Sequence, residues 1–265
     1  AAMKVERVLA PNPSLFTGPG TNTYVISSAG DAIVLDPGPF IDRHLASIET
    51  ALAAVTPTAV IVTHTHPDHA PAANVLGARL GVPVLGHSPG PEFEPSTTLA
   101  DGDVVTVGEI DLHAIHTPGH TADHLCYRLA DAIFTGDHIM GGSTVIVEDA
   151  AAYMASLRRL EGLRPVHLYP GHGPELPDAG AVITEYIEHR LERERQIIEA
   201  IAAGATTVDE IVRVVYADVD ESLHVAAAFQ VRTQLAKLQS ESRVSLYAGK
   251  ADDKATVRLV EEPTE

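Results

Sequence analysis

Four side chains able to bind a metal fall within six residues in Thr63-His64-Thr65-His66-Pro67-Asp68-His69, directly after the apolar run Ala59-Val60-Ile61-Val62. Such a run reads as a strand. In extended chain, residues two apart share a face, so His64 and His66 can aim at one ion. Pro67 suits the first turn of a new helix. Asp68 and His69 would then stand at the helix start, where the chain turns and can offer them to a second ion beside the first. The spacing therefore suggests two metals.

Three later segments extend the series: Thr117-Pro118-Gly119-His120, Phe134-Thr135-Gly136-Asp137 and Tyr169-Pro170-Gly171-His172. Each places one ligand-capable residue after a glycine, on a turn at an expected strand end, where glycine lets the backbone bring the next side chain close to an ion. Taken singly, each would read as a loop histidine or a capping aspartate. The ordered series points to one binding centre.

This order resembles the metallo-beta-lactamase superfamily, whose signature is His-x-His-x-Asp-His followed by a distant His, Asp and His. The resemblance implies one ion held by His64, His66 and His120, and a second held by Asp68, His69 and His172. Asp137 would bridge them. It also implies a four-layer αββα sandwich with the metals at one edge. Nitrogen and oxygen ligands suit zinc, with iron or manganese able to accept a similar set.

Zinc lowers the pKa of its water toward ~7, creating a hydroxide nucleophile at neutral pH, so no Ser or Cys nucleophile is needed. Two ions about 3.5–4 Å apart can hold that hydroxide and polarise the scissile carbonyl or phosphoryl oxygen. Asp68 is the candidate catalytic residue: besides ligating, it could orient the hydroxide or pass its proton to the leaving group.

The rest of the chain must position these residues. Its 265 residues can bury a substantial core, and the net charge is −18. That charge gives no support to non-specific binding of polyanions. The one cysteine, Cys126, lies in the strand-like Leu125-Cys126-Tyr127 and reads as a buried structural thiol; no internal disulfide can form. The start, Ala1-Ala2-Met3-Lys4, leads straight into a polar segment without a secretion signal, and the two alanines ahead of Met3 read as preceding a natural start. No apolar run approaches ~20 residues. A soluble cytoplasmic enzyme with no membrane contact is expected.

Residues 1–177 read as mixed strands and helices. Hairpins are predicted at 23–35 around Ala29-Gly30-Asp31 and at 104–112 around Gly108-Glu109, and further strands at 82–85 and 125–134. Helices are predicted over 44–55, 72–80 (closed by Gly81) and 154–160. The loop Thr17-Gly18-Pro19-Gly20 lacks the Lys-Ser/Thr ending of a phosphate-binding loop and is expected to border the site.

Residues 178–265 form a second unit. Ile183, Ile187, Leu191, Ile198 and Ile201 mark a long helix ending before Gly204. Thr207 and Glu210 form a capping box for a second helix, and a third is expected over 222–239. Strands at 244–247 and 256–260 flank a polar turn, Ala248 to Ala255. These elements make a small winged-helix-like α+β domain. Its third helix, with Arg232 and Lys237, is weakly basic, favouring packing on the first domain, shaping of the substrate entrance or support of a homodimer over nucleic-acid contact.

With this appendage the chain resembles the beta-lactamase-like protein 2 group. The marks are Gly20-Thr21-Asn22-Thr23-Tyr24, Thr117-Pro118-Gly119-His120-Thr121-Ala122-Asp123-His124 and the helical tail after Gly171-His172-Gly173-Pro174. The resemblance implies endoribonucleases preferring single strands among animal members and thioesterases among fungal relatives. The favoured expectation is a two-zinc hydrolase of a small ester, thioester, lactone or lactam. A metal-dependent endoribonuclease cleaving single-stranded RNA comes second, and a metal-stabilised, non-catalytic regulator third. His138, which follows Asp137 where relatives often carry a small residue, could support the site or meet substrate, or merely pack. Asn22 and Tyr24 are further candidates for substrate contact. His124 is expected at most to back a ligand, while His87, His113, His116 and His167 read as structural.

Overall fold

The computed structural model describes residues 3–141, 145–247 and 256–260. The first sheet runs in the order β1 (Lys4–Leu9), β2 (Asn22–Ser28), β3 (Asp31–Leu35), β4 (Thr56–Ile61), β5 (Val84–Gly86) and β6 (Thr97–Thr98). Two helices fall between its strands in sequence, α1 (Asp42–Ala51) and α2 (Ala72–Leu80). The second sheet contains β7 (Val104–Val107), β8 (Ile110–His116), β9 (Leu125–Leu129), β10 (Ala132–Gly136) and β11 (His167–Pro170), in the order β11-β10-β9-β8-β7. Helix α3 (Ala150–Gly162) separates β10 from β11, and α4 (Ala179–Ala202) follows.

Alternation along the strands creates the layers. Tyr24, Ile26, Ile33, Leu35 and Ile61 point to one face of the first sheet and meet Leu112, Ala114, Leu125, Tyr127 and Phe134 of the second. The opposite face, with Val25, Val34 and Val60, packs on Leu45 and Ile48 of α1 and Leu76 of α2. On the far side of the second sheet, Cys126, Ile133 and Leu168 pack on Leu157 and Leu160 of α3 and Ile183 and Ile187 of α4. The result is the four-layer αββα sandwich that the resemblance implied, and Cys126 is fully buried.

Helix α4 is 24 residues long, about 36 Å at 1.5 Å per residue. Its second half leaves the sandwich: Ile197, Ala200 and Ile201 enter a separate core with Ile211, Val231, Leu235, Leu238, Val244 and Val257. That core unites α5 (Val208–Val215), α6 (His224–Ser240) and the antiparallel pair β12 (Val244–Tyr247) and β13 (Thr256–Leu259) into a winged-helix domain. The capping box of Thr207 and Glu210 is present. The turn predicted from Ala248 to Ala255 lies outside the described residues.

Several boundaries differ from expectation. Pro67 does not open a helix. His69 and Ala70 both donate backbone bonds to the His66 carbonyl, giving a single turn, and α2 begins only at Ala72, after Pro71. Pro71 lacks an N–H and disfavours a helical residue before it, so the turn cannot run on into α2. Helix α1 starts two residues earlier than predicted, at Asp42, and ends at Ala51. The polar start hides the strand β1, whose place at the sheet edge leaves Lys4 and Arg7 exposed to solvent.

Candidate metal centre

The predicted residues converge from loops at the ends of the strands. Beyond β4 come His64, His66, Asp68 and His69; beyond β8, His120; beyond β10, Asp137; and beyond β11, His172. Their ligand-capable atoms form two groups, each with all members within 4.8 Å of one another: His64, His66, His120 and Asp137 in one, Asp68, His69, Asp137 and His172 in the other. Asp137 belongs to both. Its Oδ2 lies 3.8 Å from His120 Nε2, while its Oδ1 lies 3.2 Å from His69 Nε2 and 3.3 Å from His172 Nε2.

The spacings suit a metal. Donors 2.0–2.2 Å from a tetrahedral zinc stand about 3.3–3.6 Å from each other. Here His66 Nδ1 and His120 Nε2 are 3.0 Å apart, His69 Nε2 and His172 Nε2 3.2 Å, and His172 Nε2 and Asp68 Oδ2 3.0 Å. His64 Nε2 is buried without a hydrogen-bond partner, an orphaned lone pair that a metal ion would satisfy. The donor set of imidazoles and carboxylates suits divalent ions such as zinc or iron.

Each buried histidine of the two groups has its other ring nitrogen committed. Asp36 Oδ2 lies 2.9 Å from His69 Nδ1 and accepts the Thr63 hydroxyl at 2.8 Å. That hydroxyl, having given its proton to the carboxylate, accepts from His64 Nδ1 at 2.9 Å. One buried carboxylate therefore sets the tautomer of a histidine in each group and turns both Nε2 atoms toward the centre. His120 Nδ1 donates to the Ile146 carbonyl at 2.6 Å, and His172 Nδ1 to that of Gly20 at 3.1 Å. The Thr17–Gly20 loop thus does border the site.

Burial, then the positive charge of His69, holds the pKa of His64 well below the ordinary histidine value; burial also lowers those of His66 and His120. These rings stay neutral and keep a lone pair. In the other group, burial opposes protonation of His69, but the carboxylates of Asp137, Asp68 and Asp36 prevail and hold its pKa well above the usual value. His172 is raised to about 9, its burial outweighed by hydrogen bonds to Asp137 and Asp68. That concentration of carboxylate charge calls for cations.

Glycines allow the close approach. At Gly119 (φ 138°) a Cβ would sit 2.4 Å from the Tyr153 Cα, and at Gly171 one would sit 2.6 Å from Asp137 Oδ1.

The other candidates fall behind the ligands. His124 is buried; its Nε2 accepts the Asp137 backbone N–H at 3.2 Å, so it braces that residue. Asn22 Nδ2 donates to the Pro170 and Gly173 carbonyls, each at 2.9 Å, and Tyr24 donates to Pro170 at 2.8 Å. Both are buried and hold the turn that carries His172, with no surface for substrate. His138 is fully buried against the Tyr153 ring, with neither ring nitrogen hydrogen-bonded; burial pushes its pKa down to about 3, and it packs as a neutral ring. Sequence reasoning missed Asp36, Thr63 and the two carbonyls of Gly20 and Ile146.

Residues 16–172 match the family described as "Metallo-beta-lactamase superfamily". The chain belongs to that superfamily. Residues 207–250 match the "Beta-lactamase associated winged helix domain". A Beta-lactamase-like protein 2 homolog from Caenorhabditis elegans is 33% identical over 246 residues, spanning 88% of this chain and 83% of the relative. An Atrochrysone carboxyl ACP thioesterase from Aspergillus chevalieri is 36% identical over 238 residues, 83% of this chain and 75% of the relative. Among solved structures, a beta-lactamase domain protein from Burkholderia ambifaria superposes with a TM-score of 0.82 at 19% identity, over 97% of this chain and 91% of that one. The protein is thus an enzyme of the metallo-beta-lactamase-fold hydrolase family. Among the described residues, no helix is long and apolar enough to cross a membrane.

Proposed function

We propose that the chain is a binuclear zinc hydrolase of a small acyl compound, an ester, thioester, lactone or lactam. The carrying observation is the pair of ligand groups that share Asp137. In this reading His64, His66 and His120 would hold one ion and Asp68, His69 and His172 the other, with Asp137, common to both groups, serving each. Residues 1–177 form the catalytic unit and 178–265 the winged-helix unit.

Divalent ions, when bound, would supply a water of lowered pKa, toward ~7, and a Lewis acid for the scissile carbonyl. The chain supplies orientation. Asp36 fixes His64 and His69, and the carbonyls of Ile146 and Gly20 fix His120 and His172. The side chain of Asp68 is 25% exposed, against 9% for Asp137, so of the two carboxylates it is the one that faces incoming substrate. As the water oxygen bonds to the acyl carbon and the carbon–sulfur, carbon–oxygen or, in a lactam, carbon–nitrogen bond breaks, Asp68 is placed to pass a proton from that water to the leaving group.

Acyl substrates are favoured over RNA on two grounds. The relative from Aspergillus chevalieri is named a thioesterase. Two cations of the winged-helix domain are also engaged at home: Lys237 and Arg243 both pair with the buried Glu194, and Lys237 also with Glu241 at 2.8 Å.

The test sets zinc-loaded protein and its His64→Ala variant against an acyl thioester and a labelled single-stranded RNA. Thioester turnover that vanishes in the variant supports the proposal. RNA cleavage that vanishes in the variant while the thioester stays intact replaces it with an endoribonuclease.

A further inference from the structure

The carbonyl that orients His120 belongs to Ile146, in the segment Val145–Val147 ahead of α3. No strand holds this segment. Val145 and Val147 are buried in the core beneath α3, and among the described residues the segment's polar groups are held by two side chains outside the sandwich's own strands. Arg190 of α4 donates to the Val145 carbonyl at 2.5 Å. Gln230 of α6 makes a two-bond amide clamp on Val147: its Nε2 donates to the Val147 carbonyl at 3.0 Å and its Oε1 accepts the Val147 N–H at 3.2 Å. The clamps are joined, because Arg190 also donates to Gln230 Oε1 at 3.2 Å.

We infer that Gln230 and Arg190 are positioning residues for the metal ligand His120, acting through the Ile146 carbonyl, so that the winged-helix domain is part of the metal centre. The argument rests on the ligand role proposed for His120 and on the order of the contacts. The residues on either side of Ile146 are pinned, so its carbonyl cannot swing without breaking a clamp. An imidazole whose Nδ1 proton loses that acceptor can rotate or adopt the other tautomer, and either change withdraws Nε2 from the ion. Arg190 is suited to the task because it is itself fixed: it is buried, and its guanidinium lies 4.9 Å from the centre of the Tyr153 ring. Tyr153 in turn donates to the His138 carbonyl at 2.6 Å, next to the bridging Asp137. Helix α6 thereby gains a line to the site without touching it.

The experiment titrates metal-free protein with Co²⁺ against a competing chelator, which resolves the dissociation constants of the two sites. The proteins are the full chain, Gln230→Met, Arg190→Met and Leu238→Ala. Leu238 is fully buried in the winged-helix core, so its truncation destabilises that domain without touching Val147. The inference predicts that Gln230→Met and Arg190→Met each weaken one of the two constants about tenfold or more and leave the other in place, the usual effect of losing a partner behind a ligand. Leu238→Ala should lower the melting temperature yet leave both constants unchanged. Unchanged constants in both clamp variants, or an equal loss in Leu238→Ala, would overturn it. Failure of the full chain itself to take up two Co²⁺ would count against the ligand assignment instead.

Discussion

Asp36 Oδ2 stands 2.9 Å from His69 Nδ1 and, through the Thr63 hydroxyl, reaches His64 Nδ1 as well. Both groups of the centre therefore depend on one buried carboxylate that belongs to neither of them. Asp36→Ala should weaken metal binding at both sites, by about 10–100-fold each, and reduce kcat/KM with it. Chelator competition alongside thioester kinetics checks this. Loss only at the group that contains His69 would show that the Thr63 relay to His64 carries no weight.

Asp68→Asn separates ligation from proton transfer. Asn keeps an oxygen for His172's side of the centre but cannot carry a proton. We expect two metals retained and kcat reduced about 10²–10⁴-fold, the usual contribution of a positioned acid or base. Full rate at full metal content would remove Asp68 from the proton path.

Much of this centre was legible in the sequence because its seven side chains sit in short motifs of fixed spacing, and the structure gathers all seven. The layers were legible only through the resemblance, since alternation marks strands without saying how two sheets face each other. The supporting groups were hidden for a different reason. Asp36 reads locally as the turn former of Asp36-Pro37-Gly38, and its bonds to Thr63 cross 27 positions of chain. Ile146 and Gly20 act through carbonyls that every residue possesses. Strand β1 escaped notice because an edge strand need not be apolar. The break at Pro71 was readable, but Pro67 offered an equally good helix start.

Gly119 tests the packing behind His120. In Gly119→Ala the new methyl would meet the Tyr153 backbone at 2.4 Å, at a φ that L residues rarely adopt. Strain and overpacking together should cost about 3 kcal/mol or more, read by urea denaturation. A loss below about 1 kcal/mol would mean that α3 yields at this point.

His44 gives a pH dependence at a residue outside the two groups. Its Nε2 lies 2.8 Å from the Thr23 hydroxyl, which itself donates to the Asp36 carbonyl, so His44 must be the donor there. Its Nδ1 is buried without a partner, and burial pushes its pKa down to about 4. The unfolded chain binds this proton near pH 6.5 and the folded chain only near pH 4. The neutral ring's contribution is therefore complete above pH 6.5 and is lost as pH falls toward 4. Unfolding curves of metal-free protein should show wild type losing roughly 3 kcal/mol more than His44→Gln across that window. Parallel losses would place the titration elsewhere.

The central claim is that activity needs two ions on these seven residues. Protein stripped by chelator is reloaded stepwise with zinc, and thioester hydrolysis is followed against zinc bound. The account predicts no turnover in the stripped protein, a rate that rises to saturation at two equivalents, and no recovery when Asp137→Ala is reloaded in the same way. Full turnover after stripping, or saturation of the rate with Asp137 absent, would contradict it.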